Sequence, residues 1–147
     1  VTNPVEEYKK VLKEIKNLKY DEILVVTHVG SKVVADNFKE SILDSANMTN
    51  ANLENSVLIR ANLTFANLSG ANLRNSNLTL CNLTGANLAG ANLRNTKLIS
   101  ANLSNAFLRG ADLRGADMSG VKIKGADFTG AKMSFLNKMR IKLKKWG

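Results

Sequence analysis

Aromatic residues make up only 5% of this chain, proline occurs once (Pro4), and there is one cysteine (Cys81) and one histidine (His28). With so few rings, a core has to be filled by small and aliphatic side chains, and 147 residues leave room for one such core. A lone cysteine excludes an internal disulfide framework and fits a reducing compartment, so a cytoplasmic location is expected. No apolar run approaches the about 18 residues of a membrane-spanning helix. Val1-Thr2-Asn3-Pro4 lacks the charged-then-apolar layout of a secretory signal, and it lacks an initiator methionine, as expected of a chain trimmed or excised from something longer.

The parts of a catalyst are scarce as well. His28 sits in the apolar run Ile23-Leu24-Val25-Val26-Thr27-His28-Val29, where a packed side chain is the favoured reading over a base. Cys81 has no histidine beside it to generate a thiolate. The carboxylates do not cluster, and no glycine-rich stretch carries the lysine of a phosphate loop. Neither an enzyme nor a cofactor or metal site is expected. Charge is plentiful and uneven: the net charge is +9, and residues 134–147 supply five basic groups and no acid. Such a tail favours acidic partners without specifying a fold.

What the chain has in abundance is a repeat. From Ser41 to Phe135 it parses without a gap into nineteen quintets, of which the second is Ala46-Asn47-Met48-Thr49-Asn50. The third position is Leu in fourteen and another large apolar residue (Met48, Met118, Ile123, Phe128, Met133) in the rest. The first is Ala in thirteen, and the second is Asn or Asp in thirteen. Neither a helix of 3.6 residues per turn nor a strand of period two keeps one face apolar under a strict period of five. A chain that turns a corner every five residues does. The third residue then points inward from the middle of each side, the small first residue points inward near the corner, and positions two, four and five face out. Glycine gathers at position five, where a turn of unusual φ would select it, with Asn as the usual substitute.

The number of sides follows from the exceptions. Ser56, Ser76 and Thr96 replace the first-position alanine at intervals of twenty, and Ala46, Ala66, Ala86, Ala106 and Ala126 form an unbroken column at the same interval. Four quintets per coil therefore predicts an all-β solenoid, a quadrilateral parallel β-helix of about five coils and roughly 24 Å in length at the spacing of paired strands. Parallel connections are right-handed by strong rule. The tandem A(D/N)LXX pattern resembles the pentapeptide-repeat family, which implies the same right-handed quadrilateral β-helix. The resemblance implies no single function. Its best-understood members are acidic dimers that mimic DNA and protect gyrase.

Three segments are expected: an N-terminal amphipathic helix and strand over residues 1–30, the β-helix over 31–135, and a basic C-terminal cap over 136–147. Asn3-Pro4-Val5-Glu6 reads as a helix start, and Val5, Tyr8, Val11, Leu12, Ile15 and Leu18 form one apolar stripe. The quintets at 31–35 and 36–40 fit the frame weakly and begin the first coil. At the other end Leu136, Met139, Leu143 and Trp146 suit one helix face, although 139–144 also alternates like a strand; the helical reading is preferred, as a cap on the last coil or a contact between two copies. The Asn-x-Ser/Thr triplets at Asn47, Asn62, Asn67, Asn77, Asn82 and Asn102 arise from the repeat itself.

Two outward features could bind something. Arg74, Arg94 and Arg114 fall at offsets of twenty and so stack on one face, with Lys97 and Arg109 as neighbours. Like charges in register repel, and a bound anion would relieve that. Ile59, Leu80 and Ile99 place apolar groups outward on another face, and Phe65 and Phe107 do so elsewhere, either as contact patches or as ground over which the N-terminal helix lies. The favoured function is a non-catalytic scaffold presenting rigid faces to a protein partner. The alternative is polyanion binding, weak and non-specific toward nucleic acid, through the arginine ladder and basic tail. Gyrase protection by DNA mimicry fits least, since it needs acidic faces and residues 31–133 carry eleven basic and seven acidic groups.

Overall fold

The backbone amides at positions one, two, three and five of the repeat each go to a carbonyl at a fixed offset, and the assignment recurs every five residues. The computed structural model describes residues 38–146. The amides of positions three and five donate to carbonyls nineteen residues on, as Leu53 N–H does to Asn72 O (2.7 Å) and Asn55 N–H to Arg74 O (2.9 Å). The position-two amide donates twenty-one residues back, as Asn72 does to Ala51 O (2.8 Å). The position-one amide closes the corner locally, as Ala51 does to Met48 O (3.0 Å). Parallel bridges accordingly link position two to position two at offsets of twenty, from Ile42↔Asn62 through Phe107↔Asp127. Four quintets separate bridged positions. Among the described residues, only at the far end do the bridges lengthen into strands, β1 (Asp112–Leu113) and β2 (Lys132–Met133), paired in parallel.

The position-four amide finds no carbonyl, and the second-position side chain takes it. In all thirteen quintets with Asn or Asp at position two, a side-chain oxygen accepts the amide two residues on, at 2.9–3.3 Å. This is the Asx turn, and it explains a preference that outward polarity alone does not. In seven of these quintets the Thr or Ser hydroxyl at position four donates to the same oxygen, as Thr64 does to Asn62 (2.6 Å). The resemblance to glycosylation sites has its physical origin in that shared acceptor.

Position five turns the corner in the left-handed region. Every fifth residue from Glu40 to Gly130 has φ between 55° and 75°. Glycine adopts this freely and Asn tolerates it. Inside, the first and third positions form one continuous column of buried alanine and leucine. At position one, Ser76 and Thr96 turn their buried hydroxyls back onto the carbonyls of Leu73 (2.5 Å) and Leu93 (2.8 Å). Phe38 occupies the third position of 36–40 and is fully buried, and its amide reaches Val57 O at 2.7 Å, so the repeat register already holds there. The expected N-terminal helix, the run 23–29 with His28, and the quintet 31–35 lie outside the described residues.

After β2 the chain forms a helix, α1, over Phe135–Trp146. Its seating corrects the expected face. Leu136, Met139 and Leu143 are exposed, whereas Asn137 and Ile141 are buried. The reason is polar. A further coil would have donated the amide of residue 137 to the Ala116 carbonyl; here the Asn137 side-chain amide donates to it instead (2.8 Å), and Lys144 Nζ donates to the Val121 carbonyl. Satisfying those two open acceptors fixes the rotation of α1, and Ile141, four residues after Asn137, follows it inward.

Leu93, buried in mid-stack, changed to Ala should cost about 2–5 kcal/mol, because coils fixed by hydrogen bonds above and below cannot collapse into the hole. Ser104, outward on position four, changed to Ala should cost no more than about 0.5 kcal/mol. Urea denaturation of the two variants checks the inward–outward register.

Candidate interaction surfaces

The winding divides the outside into four faces, and each outward residue falls on one of them by its place in the twenty-residue cycle. The quintets starting at Ala51, Ala71, Ala91 and Ala111 form one face. Their fourth positions are Glu54, Arg74, Arg94 and Arg114, and the carbonyls of the three arginines bind Asn55, Asn75 and Asn95 in successive coils. The arginine column therefore exists as expected, with all three side chains exposed. It is less free than its sequence suggested. Arg114 makes a two-pronged pair with Asp112, its Nε at 2.9 Å and Nη2 at 2.6 Å from the two carboxylate oxygens. Arg109 belongs to the preceding face, where it pairs with Asp127 of the next coil, and Lys97 to the following one, bridged between Asn77 and Asp117. The pairing of Arg114 was readable in principle, because an acid two residues before it at position two is already held by the Asx turn.

These carboxylates are electrostatically tuned. The Arg114 hydrogen bond holds the Asp112 carboxyl down at about 2, with Arg94 contributing. The Ser119 hydroxyl lowers Asp117, with help from Arg140 and Lys97, and the Thr129 hydroxyl, ahead of Arg109, lowers Asp127. Cys81 moves the opposite way: burial raises its thiol to about 12, and its Sγ–H faces the Leu58 carbonyl. A thiol so raised is no nucleophile near neutral pH. Among the described residues no group of three or more His, Cys, Asp or Glu could hold a metal ion, and no helix is long and apolar enough to cross a membrane.

The apolar face is built from the quintets at 56–60, 76–80 and 96–100. Ile59 and Ile99 occupy position four in coils two apart and are half-buried; Leu80 occupies position five of the coil between and is 52% exposed. Two local rules are broken here. Val57 and Lys97 stand where Asn would bind the position-four amide, so the Ile59 and Ile99 quintets lack the Asx turn. Arg60 (φ 60°) and Leu80 (φ 59°) adopt the left-handed conformation with long side chains, which costs about 1–2 kcal/mol each relative to residues suited to it. On the next face Phe65 (φ 57°) does likewise and is 67% exposed, its ring lying over Gly85 where any Cβ would collide with it. Phe107 projects from a third face.

The pentapeptide-repeat family model matches residues 37–58 and, in overlapping copies, 61–134. The chain belongs to the pentapeptide repeat family. Among solved structures, Rfr23 from the cyanobacterium Cyanothece 51142 is 33% identical over 68% of this chain and 82% of its own, with a TM-score of 0.45. A pentapeptide repeat protein from the thylakoid lumen of Arabidopsis thaliana is 28% identical over 75% of each chain, with a TM-score of 0.38. HetL, involved in heterocyst differentiation regulation in Nostoc sp. strain PCC 7120, is 29% identical over 66% of this chain, with a TM-score of 0.32, and the match spans 65% of HetL. No curated protein sequence matches the chain.

Two outcomes follow. A carboxyl whose folded pKa lies below its unfolded value of about 3.9 adds stability above that value and loses it as pH falls through the folded one. The triple variant Asp112→Asn, Asp117→Asn, Asp127→Asn keeps the Asx acceptor and should lose less stability than wild type between pH 7 and pH 2, measured by urea denaturation. Separately, Leu80→Asn should raise stability by about 1–2 kcal/mol, because Asn accepts φ near 60° more easily than Leu; thermal melts check it.

Proposed function

We propose that this pentapeptide repeat protein is a non-catalytic interaction module that presents rigid faces to a protein partner, and that the face carrying Ile59, Leu80 and Ile99 makes the contact. The observation that carries the reading is the local cost of that face. Apolar groups stand outward where neighbouring quintets put Asn and Thr, at the expense of two Asx turns and a left-handed leucine. Backbone strain of this kind concentrates where a surface has a task. The module is taken to be a right-handed quadrilateral β-helix of about five coils over 31–135, preceded by an N-terminal segment over 1–30 and closed by the basic segment 136–147. A reducing compartment such as the cytoplasm suits its single buried thiol.

The arginine column supports a second reading, polyanion binding. Arg74 and Arg94 stand exposed in successive coils with no ion pair among the described residues. Against specific nucleic-acid recognition, Arg114 is already paired, and the exposed rings of Phe65 and Phe107 lie on different faces rather than forming a platform for bases. DNA mimicry has the least support, since the face with most formal charge is cationic.

Capture of partners by the tagged full chain from cells of its own host separates the readings. The variant Ile59→Thr, Leu80→Asn, Ile99→Thr should lose partners that wild type retains, with no loss of melting temperature. The variant Arg74→Ser, Arg94→Ser, Arg114→Ser should keep them. The reverse pattern, together with salt-sensitive binding to DNA or heparin, establishes the polyanion reading instead.

A further inference from the structure

The outward side of α1 is an amphipathic surface with no partner among the described residues. At 3.6 residues per turn, Phe135, Leu136, Met139 and Leu143 fall within an arc of about 100°, and all four are exposed, Phe135 at 78% and Leu143 at 66%. Asn137, Ile141 and Lys144, which hold the helix to the stack, lie on the opposite side. Exposed Lys138 and Lys142 run along one border of the arc, and Arg140 stands at the other. On the repeat beneath the helix, Lys122 and Lys124 are exposed beside Val121, whose carbonyl Lys144 binds.

We propose that this end of the molecule docks on an anionic lipid surface. Phe135, Leu136, Met139 and Leu143 enter the boundary between headgroups and acyl chains, and the flanking lysines and Arg140 meet the phosphates. Charge complementarity selects this occupant. Residues 134–147 hold five cations and no acid, so a second copy of the helix would set like charges against each other with nothing on either strip to pair them. A lipid surface offers anions on every side of the helix and an apolar layer beneath them, and it receives protruding side chains without a preformed groove. A short apolar arc beside lysines and an arginine is the pattern of helices that lie in the membrane interface. Here the repeat stack takes the place of solvent behind the helix, so the arc is held outward before any lipid arrives. Attachment through a helix as short as α1 is reversible and salt-sensitive.

The test uses the full chain with vesicles of phosphatidylcholine alone and of an equimolar phosphatidylcholine–phosphatidylglycerol mixture. It is read by co-sedimentation and by the emission of the chain's single tryptophan, Trp146. Binding to the anionic vesicles should exceed binding to the neutral ones by more than about tenfold and fall as salt is raised. Leu136→Ser with Leu143→Ser should abolish it at an unchanged melting temperature, since both side chains are exposed, and Lys138→Gln with Lys142→Gln should weaken it by about tenfold. Equal binding to both vesicles, no binding to either, or anionic binding that survives Leu136→Ser with Leu143→Ser overturns the proposal. So does self-association in equilibrium sedimentation that the double serine variant dissolves, which assigns the surface to a second copy.

Discussion

A wall made of very short bridged segments has to find a partner for every amide, and the fourth residue of each quintet has none in the coil above or below. The second-position Asn or Asp closes that gap from within the same quintet. Each such bond is worth on the order of 1 kcal/mol net, but leaving the amide without any acceptor would cost more than the bond gains. The remainder of the repeat follows from this arrangement. The second residue faces outward because its side chain must curl back over the turn. The fifth must be left-handed to start the next side, and the first and third are left to fill the interior.

A scaffold so uniform makes its exceptions informative. Leu80, Arg60 and Phe65 stand in conformations for which glycine or asparagine is the natural choice, and Val57 and Lys97 forgo the Asx acceptor. None of these choices improves the coil. They change what the outside displays, which is why the apolar face rather than the arginine column carries the functional reading. The arginines use ordinary fourth positions and strain nothing; Arg114 even finds a partner in the aspartate that caps its own turn.

The period of five, the inward pair of positions and the interval of twenty were all legible, because steric and apolar demands act on every quintet alike and repetition averages away local exceptions. The meaning of Asn at position two was not, since outward polarity accounts for it equally well until hydrogen-bond destinations are traced. The seating of α1 was also hidden. Leu136, Met139 and Leu143 form the more apolar side, and hydrophobic pattern alone would turn them inward. Two unsatisfied carbonyls, of Ala116 and Val121, outweighed that preference, and nothing in the composition of 136–147 announces an acceptor that exists only once the last coil has closed. The arginine pairs were half visible: Asp112 lies two residues from Arg114, but Asp127 meets Arg109 only through the winding.

The twenty-residue cycle also makes the molecule a rotary counter. A duplication of twenty residues inserted after Gly85 would lengthen the stack and leave every column aligned. An insertion of five would turn all that follows by one side, so that Arg94 no longer stood over Arg74 and α1, with the coil it seats on, pointed in a different direction relative to the first coils. Length and orientation are thus set by the same integer, and a lineage of such chains can re-aim one end relative to the other by gaining or losing single quintets, with no change to the interior.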